Sequence, residues 1–238
     1  MSRFKSDGTI FAVDVFTAVT YSPRIEEQFC MKNFFATCAA IFFLLTSSAN
    51  AADAEYLLNN ASLKPTYTGL KSCDIIVQQT LAQITNGNMT TYEKVKACYD
   101  WLIKNCSYGS NKELFKTPEF STELYKDYGG AFRARGMLVG RVGVCTDYSY
   151  AFAALTRAIG LNCYLVRGQT ARATGGMSGH DWCVIKINGV EYVFDPQIDD
   201  NIAKGGAIGY YRFCVTYDET PGSYEPKGHS LGIFAPFK

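Results

Sequence analysis

The sequence runs to 238 residues, 47% hydrophobic and 19% charged, the make-up of an ordinary globular chain, which excludes a disordered or fibrous protein. Its 23 basic and 22 acidic residues leave a formal net charge of +1, so no global field draws it to nucleic acid or an anionic membrane. No fixed-period repeat, Pro-rich tract or block of like charge interrupts it, and one folded domain is expected.

The first patterned segment belongs to targeting and not to the fold. Met31-Lys32-Asn33 precedes an apolar run from Phe34 to Leu45, which ends in Ala49-Asn50-Ala51: a basic start, an apolar stretch and a small-x-small site, in the order of a secretory signal peptide. The run is shorter than the roughly 20 apolar residues a bilayer span needs. Cleavage after Ala51, a secreted or extracytoplasmic location and no stable membrane insertion after cleavage are therefore expected. Residues 1–30 stand ahead of the signal as an N-terminal extension. Residues 52–70, polar and irregular with Asn59-Asn60 and Pro65, read as a linker, and the folded domain is expected over 71–238.

Within that domain, Asp74 to Thr85 carries Ile75, Ile76, Leu81 and Ile84 at near-helical spacing and stops at Asn86-Gly87. Thr90-Thr91-Tyr92-Glu93 fits a capping box, and Val95, Tyr99, Leu102 and Cys106 follow on one face of a second helix that ends before Gly109. Residues 110–142 are less regular: a helical turn from Leu114 to Tyr125, a break at Gly129-Gly130 and a short helix from Ala131 to Val139. The pattern sharpens after Gly143, where Cys145 to Ile159 places Tyr148, Phe152, Leu155 and Ile159 on one face and ends at Gly160. Cys145 thus sits in the first turn of a helix. A strand from Asn162 to Gln169, a Gly-rich loop from Thr170 to Gly179, and two strands, His180 to Ile187 and Val190 to Asp195, come next. The last two are joined by Asn188-Gly189, the strongest short hairpin signal. Tyr210 to Tyr217 extends the sheet, and the tail from Asp218 reads as loop. Helices early and strands late give an α+β fold, with N-terminal helices packed on an antiparallel β-sheet.

Three side chains in this plan carry chemistry together. A two-residue turn at Asn188-Gly189 pairs Ile187 with Val190, sets Lys186 against Glu191 as a favourable charge pair, and brings Trp182 opposite Asp195. His180 is then diagonal to Asp195 on the same face, roughly 7–8 Å away at the backbone, within reach of two polar side chains. Cys145 at a helix start meets free backbone N–H groups that favour a thiolate and can receive an oxyanion. A cysteine nucleophile needs an imidazole, and the imidazole needs an acceptor to fix its tautomer. Taken singly, Cys145 fits a small core residue, His180 a structural histidine and Asp195 a strand-end turn; their joint placement makes them a candidate catalytic set. His229, the other histidine, lies in a Gly- and Pro-rich tail without a partner.

Nine cysteines become seven after cleavage at Ala51, which removes Cys30 and Cys38, so at least one thiol stays unpaired. Six could form up to three disulfides with fifteen connectivities, yet Cys163 and Cys183 sit in apolar strands, and few or no disulfides are expected. No Cys-x-x-Cys pair, His-Glu-x-x-His, acidic loop or phosphate-binding Gly motif appears, so neither metal nor cofactor is expected.

Gly143-Val144-Cys145, His180-Asp181-Trp182 and Phe194-Asp195-Pro196, in that order and at that spacing, resemble the transglutaminase-like superfamily, relatives of the papain-like cysteine proteases. The resemblance covers about Thr91 to Tyr217. It implies a papain-like core with Cys145 as nucleophile, His180 as general acid and base and Asp195 as its orienting carboxylate. It also implies a peptide or protein substrate attacked at an amide bond through a thioester. Hydrolysis is the leading expectation, with amine transfer to protein glutamine or a non-catalytic binding module as alternatives. Asp181 stands where the family often has Ala; alternation turns it away from the triad, and little effect is expected. Gln197 replaces a frequent Thr. Some family members place an oxyanion-stabilising Trp upstream of the cysteine, whereas Trp101 here lies within the second helix and Tyr108 is a poor stand-in, better read as packing.

Overall fold

The computed structural model describes residues 53–230 except residue 118, and only the backbone of residues 229 and 230. The expected signal peptide, the extension before it and the cleavage site lie outside the described residues.

Residues 53–59 form a helical segment whose Ala54 and Leu58 are buried in the core. The chain that follows is laced to the domain by Lys64 N–H to Gly160 O (2.7 Å) and Thr66 N–H to Arg157 O (2.9 Å). The stretch that reads as a linker is thus part of the packed body. Its few apolar side chains are spaced to fill one seam, a pattern too sparse to register as amphipathic.

Helix α1 (Lys71–Ile84) is followed by α2 (Thr91–Asn105). The capping box forms: Thr90 Oγ1 accepts from Glu93 N–H at 3.2 Å, and Glu93 Oε2 accepts from Thr90 N–H at 2.7 Å. Two short strands, β1 (Ser107–Tyr108) and β2 (Val142–Gly143), pair in parallel around helix α3 (Thr122–Gly140). Gly129-Gly130 does not break α3. The helix kinks at Tyr128 and runs on through both glycines, because burying Ala131, Phe132, Ala134 and Met137 outweighs the roughly 1 kcal/mol that each glycine costs against alanine.

Helix α4 (Cys145–Ile159) is the central element, with Tyr148, Ala151, Phe152 and Leu155 fully buried. It packs against α2, α3 and one face of a five-stranded sheet. That sheet comprises β3 (Cys163–Ala171), β4 (Met177–Ile187), β5 (Val190–Phe194), β6 (Phe213–Val215) and β7 (Tyr224–Ser230) in the order β6-β5-β4-β3-β7, antiparallel throughout. The hairpin register is the one the turn implies: Ile187 pairs with Val190 and Lys186 with Glu191. The fold class, helices on an antiparallel sheet, is therefore as the element order indicates.

Three further parts differ from the sequence reading. The Gly-rich loop is only five residues, 172–176, because β3 and β4 extend to the pair Ala171–Met177 and the turn is closed by Arg172 N–H to Gly176 O (2.9 Å). Asp195 and Pro196 open a short helix, α5 (Pro196–Ala203): Asp195 caps it through Ile198 N–H (3.1 Å), and Pro196 fills a first-turn position where no N–H is needed. The tail returns as β7. A polar edge strand containing Pro226 lacks alternation and pairs on one side only, so sequence gives it no signal. Its partner β3 receives it at Gly168, where an added Cβ would lie 2.2 Å from the Glu225 carbonyl oxygen.

Candidate functional site

The first turn of α4 is fixed from below. Asp147 is fully buried and accepts from Val144 N–H (2.9 Å), Arg133 Nη1 (3.0 Å) and Asn111 Nδ2 (3.1 Å), tying the turn before Cys145 to α3 and the preceding loop. Gly143 is required by crowding: a Cβ there would stand 2.6 Å from Asp147 Cβ and 2.7 Å from Met137 Sδ. Cys145 itself is half-buried, whereas the other six described cysteines are buried. Burial pushes the thiols of Cys73, Cys106 and Cys214 up to about 12, which keeps them inert, and also raises that of Cys183.

His180 and Asp195 meet as the register requires. His180 Nε2 lies 2.6 Å from Asp195 Oδ2, with both side chains nearly out of solvent, and Cys145 is near enough to the same imidazole to influence its charge. With Nε2 turned to the carboxylate, Nδ1 is the nitrogen left for the sulfur. Burial alone would lower the pKa of His180, but the charge of Asp195, its hydrogen bond and the contact with Cys145 override that and push it up to about 10. Burial raises the carboxyl pKa of Asp195, and the His180 cation together with donated hydrogen bonds brings it below the ordinary value. The imidazole is thus an imidazolium at neutral pH, held between an anion and a sulfur.

Tyr224 completes the set, and the sequence gives no hint of it. Its hydroxyl donates to the same Asp195 Oδ2 at 2.7 Å, so Asp195 accepts from His180, Tyr224 and the Ile198 amide at once. Trp182 packs beside both, its ring 5.0 Å from Tyr224 at 86° and stacked 6.1 Å from His180. Tyr224 comes from β7, the strand hidden in the apparent tail. That strand is one of the two edges of the sheet, and Pro226 and Gly228 leave it no alternation by which the sequence could have revealed it.

Two residues differ from their sequence assignments. Asp181 does face away from His180, yet it is buried and its carboxylate accepts from Thr146 Oγ1 (2.6 Å) and pairs with Arg167 (3.2 Å). It therefore clamps β4 to the residue next to Cys145, which alternation alone could not reveal. Tyr108 is not a packing residue: it is 56% exposed, sits on β1 opposite Gly143, and is close enough to Cys145 and Asp147 that, after burial, their charges raise its pKa. Trp101 lies within α2, as its spacing indicates. His229 is on β7, where its side chain is not described. Among the described residues no group of three or more His, Cys, Asp or Glu side chains is arranged to hold a metal ion, and no helix is long and apolar enough to cross a membrane.

With this geometry in place, the sequence matches the profile of the Transglutaminase-like superfamily over residues 78–196, which contains Cys145, His180 and Asp195. The chain belongs to the transglutaminase-like superfamily. Two solved structures are similar to it. One is a candidate cysteine protease from Cytophaga hutchinsonii, 18% identical, with a TM-score of 0.40 over 66% of this chain and 42% of that one. The other is a TGase, 16% identical, with a TM-score of 0.33 over 53% of this chain and 30% of that one. The transglutaminase-like chain therefore spans less than half the length of either. No curated protein matches the sequence.

Proposed function

We propose that this transglutaminase-like chain is a cysteine enzyme that opens amide bonds of peptides or proteins, with Cys145 as nucleophile, His180 as general acid and base and Asp195 as the orienting anion. One observation carries the reading: the imidazole of His180, which the half-buried Cys145 at the start of α4 is near enough to perturb, lies 2.6 Å through Nε2 from a buried carboxylate. In the first step the Cys145 sulfur attacks the amide carbon, the oxyanion is received by first-turn amides of α4, and the C–N bond breaks as His180 protonates the leaving amine. A thioester remains. Water then attacks it, His180 takes the water proton, and the C–S bond breaks to release a carboxylate and restore the thiolate.

Water is the proposed acceptor because Cys145 is only partly buried and the neighbouring Tyr108 is more than half exposed, whereas selective amine transfer needs a site that excludes water. Incubating the purified protein, a Gln-containing peptide and a labelled primary amine tests this by product partitioning. Carboxylate product is expected to dominate. Predominant amide at millimolar amine makes the chain an amine transferase, and absence of both products with intact Cys145 makes it a binding module. We also propose export, on the basis of the Met31 to Ala51 pattern, with intact mass of the mature protein as the check.

A further inference from the structure

Beside the triad lies a groove of about 640 Å³, within the range of ligand-binding pockets. Its walls are the end of β3 with the following turn, helix α5, and the segment leading into β7. Tyr224 lines it, and the same Tyr224 hydroxyl that faces Asp195 places the groove wall two hydrogen bonds from the catalytic imidazole.

The chemistry of the lining is one-sided. Ile198 and Ile202 give it apolar surface, three cationic side chains (Arg172, Lys204 and Arg212) line it, and no acidic side chain does. Arg212 is already compensated: its Nη1 pairs with Asp199 at 3.2 Å and its Nη2 donates to the Pro221 carbonyl. Arg172 and Lys204 are not. Both are exposed, and neither forms an ion pair among the described residues.

They are nevertheless held in place at the backbone. Arg172 sits in the closed turn, giving its N–H to Gly176 O (2.9 Å) and its carbonyl to Gly175 N–H (3.0 Å). Lys204 caps α5 in the left-handed conformation (φ 46°), with its N–H on Asp200 O (2.9 Å). Two cations without ion-pair partners among the described residues, contributed by two different elements that line one groove with Ile198 and Ile202, form a site for anions.

Building on the amide-cleaving reading above, we propose that this groove is a substrate subsite that selects peptides bearing Asp or Glu side chains at a distance from the scissile bond. Arg172 and Lys204 receive the carboxylates, and the isoleucines receive the apolar parts of the same segment. A chain of net charge +1 has no long-range field to recruit acidic substrates, so the preference must arise from this local pair and weaken with salt.

Two measurements test the proposal. The first is binding of a fluorescein-labelled Glu-rich hexapeptide, compared with its Gln analogue, to the full chain carrying Cys145→Ala. The Glu peptide is expected to bind about tenfold more tightly at low salt. Arg172→Ala/Lys204→Ala should abolish the difference, and Lys64→Ala/Lys71→Ala, exposed lysines outside the groove, should keep it. Equal binding of the two peptides, or a preference that survives loss of Arg172 and Lys204, overturns the subsite. The second measurement uses iodoacetyl-capped versions of both peptides on the unmodified chain. Faster capture of Cys145 by the Glu arm, lost in the Arg172/Lys204 variant while plain iodoacetamide reacts unchanged, joins the subsite to the nucleophile. If plain iodoacetamide leaves Cys145 unmodified, the amide-cleaving reading fails and the binding result still decides the groove. If iodoacetamide reacts and the two arms do not differ, the groove serves no substrate and the subsite is refuted.

Discussion

Replacing Asp195 with Asn removes one charge while keeping the side chain's size and its capping oxygen for the Ile198 amide. In the native site the imidazole pKa rises from 6.5 to about 10, which corresponds to about 5 kcal/mol of preference for the charged form. That figure agrees with the roughly 3–5 kcal/mol lost when one partner of a buried ion pair is removed. In Asp195→Asn, only burial and the weaker Cys145 contact act on His180, which is 8% exposed, so its pKa falls below the ordinary 6.5. The Asn amide also donates where the carboxylate accepted, so the imidazole is held in the reverse tautomer and presents the wrong nitrogen state to the sulfur. Alkylation of Cys145 at neutral pH is expected to slow by roughly a hundredfold or more. The sign of the pH dependence follows from the raised folded-state pKa. The contribution of His180 to stability is complete below pH 6.5 and is lost as pH rises through about 10, and Asp195→Asn should flatten that alkaline fall. Imidazole NMR titration alongside denaturant melts from pH 6 to 11 checks both effects. A His180 resonance still titrating near pH 10 in Asp195→Asn would refute the assignment of the carboxylate as cause.

Three further expectations rest on separate contacts. Tyr224→Phe deletes the hydroxyl that donates to Asp195 at 2.7 Å and should cost about 1.5–3 kcal/mol by denaturant unfolding, with the Trp182 packing retained; unchanged stability argues against the bond. Gly168→Ala puts a Cβ 2.2 Å from the Glu225 carbonyl oxygen and 2.5 Å from the Trp182 ring, so it should destabilise by roughly 1–3 kcal/mol and speed hydrogen exchange selectively in β7. Brief iodoacetamide treatment of the native chain followed by peptide mapping should label Cys145 alone of the seven described cysteines, since the rest are buried; comparable labelling of Cys163 or Cys183 contradicts the site.

Much of this site could be read from the one-dimensional pattern because its parts are governed by local rules. The apolar period from Cys145 to Ile159 sets the nucleophile in a helix's first turn, and Asn188-Gly189 fixes a register that makes His180 and Asp195 diagonal neighbours. The capping box at Thr90 is equally local, and it forms. What sequence could not show depends on contacts between segments far apart in the chain. The kinked but unbroken α3 is decided by burial of Phe132 and Met137 against the intrinsic preference of Gly129-Gly130. The clamp from Asp181 to Thr146 joins residues 35 apart, one on a strand and one on a helix, which alternation along the strand cannot relate. Tyr224 reaches Asp195 from an edge strand whose Pro226 and one-sided pairing leave no periodic trace, and Arg172 and Lys204 line one groove that the turn after β3 and the end of α5 both border. The sequence by itself determined where Cys145, His180 and Asp195, the candidate trio, stand, since helix start and hairpin register are short-range properties. Only the tertiary structure decided what supports and surrounds the trio, because those partners are selected by packing of distant elements and not by any repeat along the chain.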